Sequence, residues 1–169
     1  MLFKYNRINN KNLSDALEIY NYYIINSFSN FEEKELSIKV FRSLYDKIKS
    51  SKLPFIIATQ NKVVIGLAFV NKFREKSGYR FTHEHSIYVH PNYLNNGYGS
   101  VILNKLIVQC KKNKNIKNLI AVIGGSDNEA SIKIHKKYGF KLIGTIIKAG
   151  YKKNKWIDSV YMQKRLWKK

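Results

Sequence analysis

The chain has 169 residues, with 31 Lys and Arg against 11 Asp and Glu, a formal net charge of +20 and 44% hydrophobic residues. That length suits one domain over 1–169 with a substantial core. No apolar run reaches the ~20 residues that span a bilayer, and the opening MLFKYNRINN lacks the charged start, apolar middle and cleavage site of a secretory signal, so a cytoplasmic protein is expected. The single cysteine, Cys110 in LIVQCKK, excludes an internal disulfide and reads as a buried thiol with no base beside it. A charge this large would suit nucleic acid if one face concentrated it. Lys, Asn and Ile are instead enriched together along the whole chain, which reads as a compositional bias, so nucleic acid is not the expected partner, although the field still favours anionic ligands.

In chain order, LFKYNRI alternates apolar and polar residues and predicts a first strand. From Leu13 to Ile25 the residues Leu13, Ala16, Leu17, Ile19, Tyr20, Tyr23 and Ile24 recur at helical spacing, with Asn12 or Ser14 as cap. A second helix is expected over about 37–49, stopped before Pro54. FIIATQNKVVIGLAFVNKF then reads as two strands turned at Gln60, Asn61 and Lys62. RFTHEHSIYV is the next strand, closed by His90-Pro91. A helix over about 99–112, the strand LIAVIG, a helix over about 128–138 ending at Gly139, and a closing antiparallel pair complete the chain. The expected architecture is α/β (α+β): a mixed, mostly antiparallel sheet of about seven strands flanked by about four helices.

The segment IYVHPNYLNNGYGSVILNKL joins a strand to a helix through a turn with two glycines, Gly97 and Gly99. Such a turn can hold phosphate, because the unpaired amides of a helix N-terminus point at the ligand and glycine lets the backbone come close. It lacks the lysine of a nucleoside triphosphate loop and the third glycine of a dinucleotide fingerprint. About thirty residues on, AVIGGSDNEASIKIHKKYGF repeats a strand, a glycine end and a helix, with Asn128, Ser126 or Asp127 as candidate caps. The histidines at 83, 85, 90 and 135 have no cysteine or carboxylate cluster around them, so no metal is expected.

These segments resemble the GNAT N-acetyltransferase superfamily, and within it the phosphinothricin and methionine sulfoximine acetyltransferases. The likeness is carried by EIYNYYIINSFSNFEE, YRFTHEHSIYVHP, the glycine turn, AVIGGSDNEASIKIHKKYGF and AGYKKNKWIDSVYMQKRL, in order over nearly the whole chain. Leu94 stands where the superfamily prefers Gln or Arg, Asn95 where it often has Gly, and Asn96 where it often has Lys or Arg. Asn tolerates a left-handed backbone, so Asn95 can replace Gly there.

The resemblance implies a GNAT fold, acetyl-CoA as co-substrate, a homodimer, and transfer of acetyl to the α-amine of a small amino-acid-like acceptor by direct attack in a ternary complex. A protein N-terminus, a polyamine or an antibiotic is the alternative acceptor. Matching the motifs residue by residue makes Glu84 the base, acting through water, and His135 the acid for the leaving thiolate or an assisting base, with Tyr138 as alternative acid. Main-chain groups of Ile87, Tyr88 and Val89 should meet the pantetheine and polarise the thioester carbonyl. The stretch Asn95, Asn96, Gly97, Tyr98, Gly99 and Ser100 should hold the pyrophosphate, and Asn128 and Ser131 should assist the pantetheine. Arg74 and Arg80 match family arginines and suit a carboxylate or phosphinate; Phe31 and Glu32 match its Phe-Glu segment and could line the acceptor pocket. His83 and His85 should face away from Glu84, because strand side chains alternate.

Overall fold

The computed structural model describes residues 4–5 and 8–167. Its strands are β1 (Lys4–Tyr5), β2 (Phe55–Gln60), β3 (Val63–Lys72), β4 (Thr82–Val89), β5 (Asn118–Gly124), β6 (Lys141–Lys152) and β7 (Lys155–Arg165), and its helices are α1 (Asn10–Asn26), α2 (Ile38–Ser50), α3 (Tyr98–Lys112) and α4 (Glu129–Lys137). The other residues of the LFKYNRI segment, Ile8 excepted, lie outside those described. The strands form one sheet in the order β1-β2-β3-β4-β5-β7-β6. Every neighbouring pair is antiparallel except β4 and β5.

Two tight hairpins set the register. Asn61 and Lys62 have φ of 49° and 68°, and Lys153 and Asn154 have 51° and 59°. Two consecutive positive φ values match the right-handed twist of the flanking strands, and all four of these residues are Asn or exposed Lys. α1 begins earlier than its apolar pattern suggests. Asn9 caps it in a reciprocal pair with Asn12, whose side chain returns to the Asn9 amide at 2.8 Å.

Side chains alternate along β3 between two cores. Leu67 and Phe69 pack with Leu13, Ile24 and Phe41 of α1 and α2, whereas Ala68 and Val70 pack with Ile102, Leu106 and Phe140 beneath α3 and α4. Truncating Leu67, which is fully buried, should cost about 2–5 kcal/mol.

The feature that positions the site is the limited pairing of β4 with β5, which runs only from Thr82↔Asn118 to His85↔Ala121. Beyond it β4 stays with β3 and β5 stays with β7, so the two parallel strands part. β6, at the sheet edge, exposes Leu142, Ile143, Ile146, Ile147 and Tyr151. Among the described residues, no helix is long and apolar enough to cross a membrane.

Candidate active site

A cleft of about 890 Å³ opens where β4 and β5 part. On one side stands the glycine turn. Asn95 and Gly97 both have left-handed backbones, φ 62° and 77°, as the Asn-for-Gly exchange requires. Gly97 is the N-cap of α3 and brings no side chain to the helix end, so the first-turn amides keep no intrahelical partner. A Cβ at Gly97 would meet nothing within 4 Å, which leaves open space in front of those amides. An anion there gains both the amides and the helix dipole.

The side chains of the turn mostly look elsewhere. Tyr98 is buried, its hydroxyl donating to Gln60 Oε1 at 2.7 Å. Ser100 Oγ lies 2.9 Å from the Tyr138 hydroxyl. The Asn96 amide folds back onto the Leu94 carbonyl at 3.1 Å, and Asn96 does not line the cleft. Asn95, Gly97, Tyr98, Gly99 and Ser100 all do. The opposing helix α4 is capped by Asn128, whose Oδ1 accepts from the Ser131 amide at 3.2 Å, and both residues line the cleft.

The edge of β4 needs one correction. The His90 amide bonds to the Ile65 carbonyl, and antiparallel ladders alternate, so residue 88 directs its main chain at β3 while 87 and 89 direct theirs toward the gap. Tyr88 therefore contributes its ring, edge-on to Tyr20 at 5.2 Å, and not its amide. The Val89 carbonyl is already taken by the Tyr23 hydroxyl at 2.7 Å. What β4 offers the gap is the Ile87 amide and carbonyl and the Val89 amide.

Glu84 stands at the floor of the cleft, half-buried, on the face shared with Tyr88. Burial pushes its carboxyl above the ordinary range, and Arg74 draws it partly back. Tyr20, Tyr88 and Asn30 surround this end; burial raises both phenols, and the Asn30 side chain against them partly offsets that rise. Phe31 and Glu32 line the same end. Their loop is fastened by Lys152, whose buried ammonium donates to the carbonyls of Ile24, Ser27 (3.0 Å) and Asn30 (2.6 Å). Gly150 lies against the Phe31 ring, and a Cβ there would come within 2.9 Å of it and displace it. Sequence reading missed Tyr20, Tyr23, Asn30 and Lys152; their polar atoms converge only once α1, its following loop and β6 meet.

The arginines do not join the cleft lining. Arg74 lies over the Phe73 ring at 5.0 Å and reaches Glu84 only through its field. Arg80 lies over Phe81 at 4.7 Å and bonds the Ser77 carbonyl.

His135 is buried on α4, with Nδ1 2.7 Å from the Ser131 carbonyl and Nε2 2.9 Å from Nε2 of His85. His85 does face away from Glu84, and that face is buried against α4 and Phe140. Tyr138 is absent from the lining, held by Ser100. Cys110 is buried and its thiol is pushed up to about 12 by burial. Among the described residues, no group of three or more His, Cys, Asp or Glu is arranged to hold a metal ion.

An open helix N-terminus and a splayed strand pair facing one cleft fit a long phosphorylated thioester, and the whole chain matches proteins built this way. The profile of the GNAT acetyltransferase domain matches residues 6–161. The chain belongs to the GNAT acetyltransferase family. A phosphinothricin N-acetyltransferase of Alcaligenes faecalis is 33% identical over 148 residues, 88% of this chain and 75% of the relative. An L-methionine sulfoximine/L-methionine sulfone acetyltransferase of Salmonella typhimurium is 30% identical over 149 residues, 88% of this chain and 86% of the relative. The crystal structure of a GNAT superfamily phosphinothricin acetyltransferase from Sinorhizobium meliloti, in complex with acetyl-CoA, superposes with a TM-score of 0.91 at 30% identity, covering 98% of this chain and 89% of that one. This GNAT chain is accordingly an acetyl-CoA-dependent N-acetyltransferase.

Proposed function

We propose that the protein acetylates the α-amino group of a small amino-acid-like acceptor of the phosphinothricin, methionine sulfoximine or methionine sulfone type, by direct attack in a ternary complex. The observation that carries this reading is one half-buried carboxylate, Glu84, on the floor of the cleft that the open N-terminus of α3 also faces. The names of the relatives support the acceptor class.

Acetyl-CoA, when bound, supplies the thioester acyl group; the chain's residues hold it and manage protons. Amides of Gly97 to Ser100 receive the pyrophosphate, the gap-facing main chain of Ile87 and Val89 the pantetheine, and Asn128 and Ser131 border it. An α-amine near pKa ~8 is mostly protonated at neutral pH, so a base is needed. Glu84 takes that proton through water, and its raised pKa brings it nearer the operating pH, where a base is most effective. Phe31, Glu32, Tyr20 and Asn30 shape the acceptor end, and Arg74 sets the field at Glu84. The exposed apolar edge of β6 supports a homodimer, because a patch of several large apolar side chains marks an interaction surface. We place the protein in the cytoplasm, where acetyl-CoA is supplied.

The test is a screen of thiol release from acetyl-CoA across amino acids, methionine sulfone, phosphinothricin, polyamines, aminoglycosides and a peptide N-terminus. Turnover concentrated in the amino-acid-like group is expected. Turnover confined to any of the others would replace this acceptor class.

A further inference from the structure

We propose that His85 and His135 act as one proton-holding unit at the point where β4 and β5 part, with Ser131 joining the unit to the cleft. The proposal rests on the acetyltransferase reading above and extends it to a residue, His85, that has no part in it.

The geometry is a count of protons. His85 Nδ1 is 3.0 Å from the Ile120 carbonyl, His135 Nδ1 is 2.7 Å from the Ser131 carbonyl, and the two Nε2 atoms are 2.9 Å apart. A carbonyl only accepts, so each Nδ1 needs a proton to make its bond. The contact between the two Nε2 atoms needs a third. Two neutral imidazoles carry two protons between them. The neutral pair therefore always leaves one of the three contacts with lone pairs opposed. A third proton satisfies all three and leaves a single shared positive charge.

Opposing this, burial lowers the pKa of both rings, and the charge of each ring repels charge on the other. No carboxylate offsets it. On β4, Glu84 faces the other side and His83 is itself a buried histidine pushed toward its neutral form. β5 carries no titratable side chain. On α4, Glu129, Lys133, Lys136 and Lys137 are exposed, and Glu129 is engaged by Lys133. On β7, Lys164 donates to the Tyr138 carbonyl. Phe140 covers both rings, at 5.2 and 5.0 Å. Hydrogen bonding favours the third proton and burial opposes it; burial prevails for both rings, so the pair rests neutral with one mismatched contact and holds a third proton only while the reaction supplies one.

Ser131, His85 and His135 all line the cleft, and Ser131 Oγ lies 3.4 Å from His135 Nδ1. In the neutral state whose mismatch falls at this Nδ1, the hydroxyl can donate to it, and a proton can enter there. The reaction has such a proton to move. An acceptor ammonium loses two protons on becoming an amide nitrogen: the first goes to Glu84, and the second must reach the sulfur as the C–S bond breaks. The unit receives that second proton at His135 Nδ1 by way of Ser131 Oγ, holds it across the Nε2 contact, and returns it by the same hydroxyl. Its own proton count is unchanged over the cycle. His85 is the positioning residue of this unit, and its partner His135 acts as half of a pair.

His85→Gln is the test, because its amide can reach Nε2 of His135 but cannot share a titrating proton. General acid–base steps contribute about 10²–10⁴-fold. A fall in kcat of about tenfold or more is expected between pH 6 and 9, with the KM for acetyl-CoA changed less than about threefold. If Gln restores full turnover where His85→Ala does not, His85 only packs and the proton-holding role is overturned. The second measurement needs neither cofactor nor acceptor: ¹⁵N NMR of the histidine rings in the wild-type chain. Coupled titration of His85 and His135, taking up one proton between them with both Nδ1 protonated in the acidic form, is the expected result. Two rings that titrate independently, or one Nδ1 unprotonated throughout, would overturn the pair. Absence of thiol release with every acceptor would sink the proposed function instead, and the NMR result would still decide the pair.

Discussion

On the side of the cleft proposed for the cofactor the groups turned inward are main-chain amides at Gly97 to Ser100 and along Ile87 and Val89, while the side chains of Asn96, Tyr98 and Ser100 are occupied elsewhere. On the side proposed for the acceptor the inward groups are side chains, Glu84, Tyr20, Asn30 and Phe31, brought from three separate segments. The first half tolerates sequence change as long as the backbone path survives. That explains how Leu94, Asn95 and Asn96 can depart from the usual motif over an intact turn. The second half depends on each residue's chemistry and on the loop that Lys152 fastens.

The largest expected effect comes from removing chemistry on the acceptor side. Glu84→Gln should lower turnover by about 10²-fold at pH 7, with partial recovery near pH 9 where the amine is already neutral, and with acetyl-CoA affinity intact. Because burial raises this pKa, the folded state binds its proton more tightly than the unfolded state does. Glu84 therefore favours folding below the ordinary glutamate pKa, and that advantage is lost as pH rises through the folded value. The Gln variant should accordingly melt at or above the wild-type temperature at pH 7. Wild-type turnover across this pH range would remove Glu84 as the base.

Next comes a change of backbone on the cofactor side. Gly97→Ala places a Cβ at φ 77° in the space before the helix amides. A left-handed L-residue costs about 1–2 kcal/mol, so the KM for acetyl-CoA should rise roughly tenfold while kcat at saturation stays near wild type. Asn96→Ala, on the same turn but outside the lining, should leave that KM unchanged. Equal effects from both would break the distinction between the halves.

A smaller effect is expected at Arg74, which touches the acceptor half only through its field. Arg74→Ala removes the influence that lowers the Glu84 pKa, so the acidic limb of kcat/KM should move to higher pH, with rates near pH 9 preserved. Loss confined to free amino acids, sparing their amides, would instead make Arg74 a carboxylate clamp. The smallest effect is at Cys110. Its buried thiol, pushed up to about 12, should stay unreactive toward a disulfide reagent in the native protein and react on unfolding.

Local sequence determined the element order, the hairpin turn at Asn61 and Lys62, the closing antiparallel pair, the glycine turn and the face on which Glu84 lies, because each follows from a period, a cap or a backbone preference spanning a few residues. It also determined the family, through motifs in fixed order. Element starts were less legible: the Asn9–Asn12 reciprocal cap hides behind a polar run, and α1 begins three residues before its apolar stripe. Tertiary structure alone decided the rest. Where β4 and β5 stop pairing is set by helices and strands far off in sequence, and it opens the gap. Arg74 and Arg80, apt by chemistry, are turned onto neighbouring aromatic rings. The strand period placed His85 on the face opposite Glu84, but only packing of α4 against β4 set its Nε2 against that of His135, fifty residues away. Polar atoms from distant segments meet at hydrogen-bond distance through the fold of the whole chain, and no local period records that meeting.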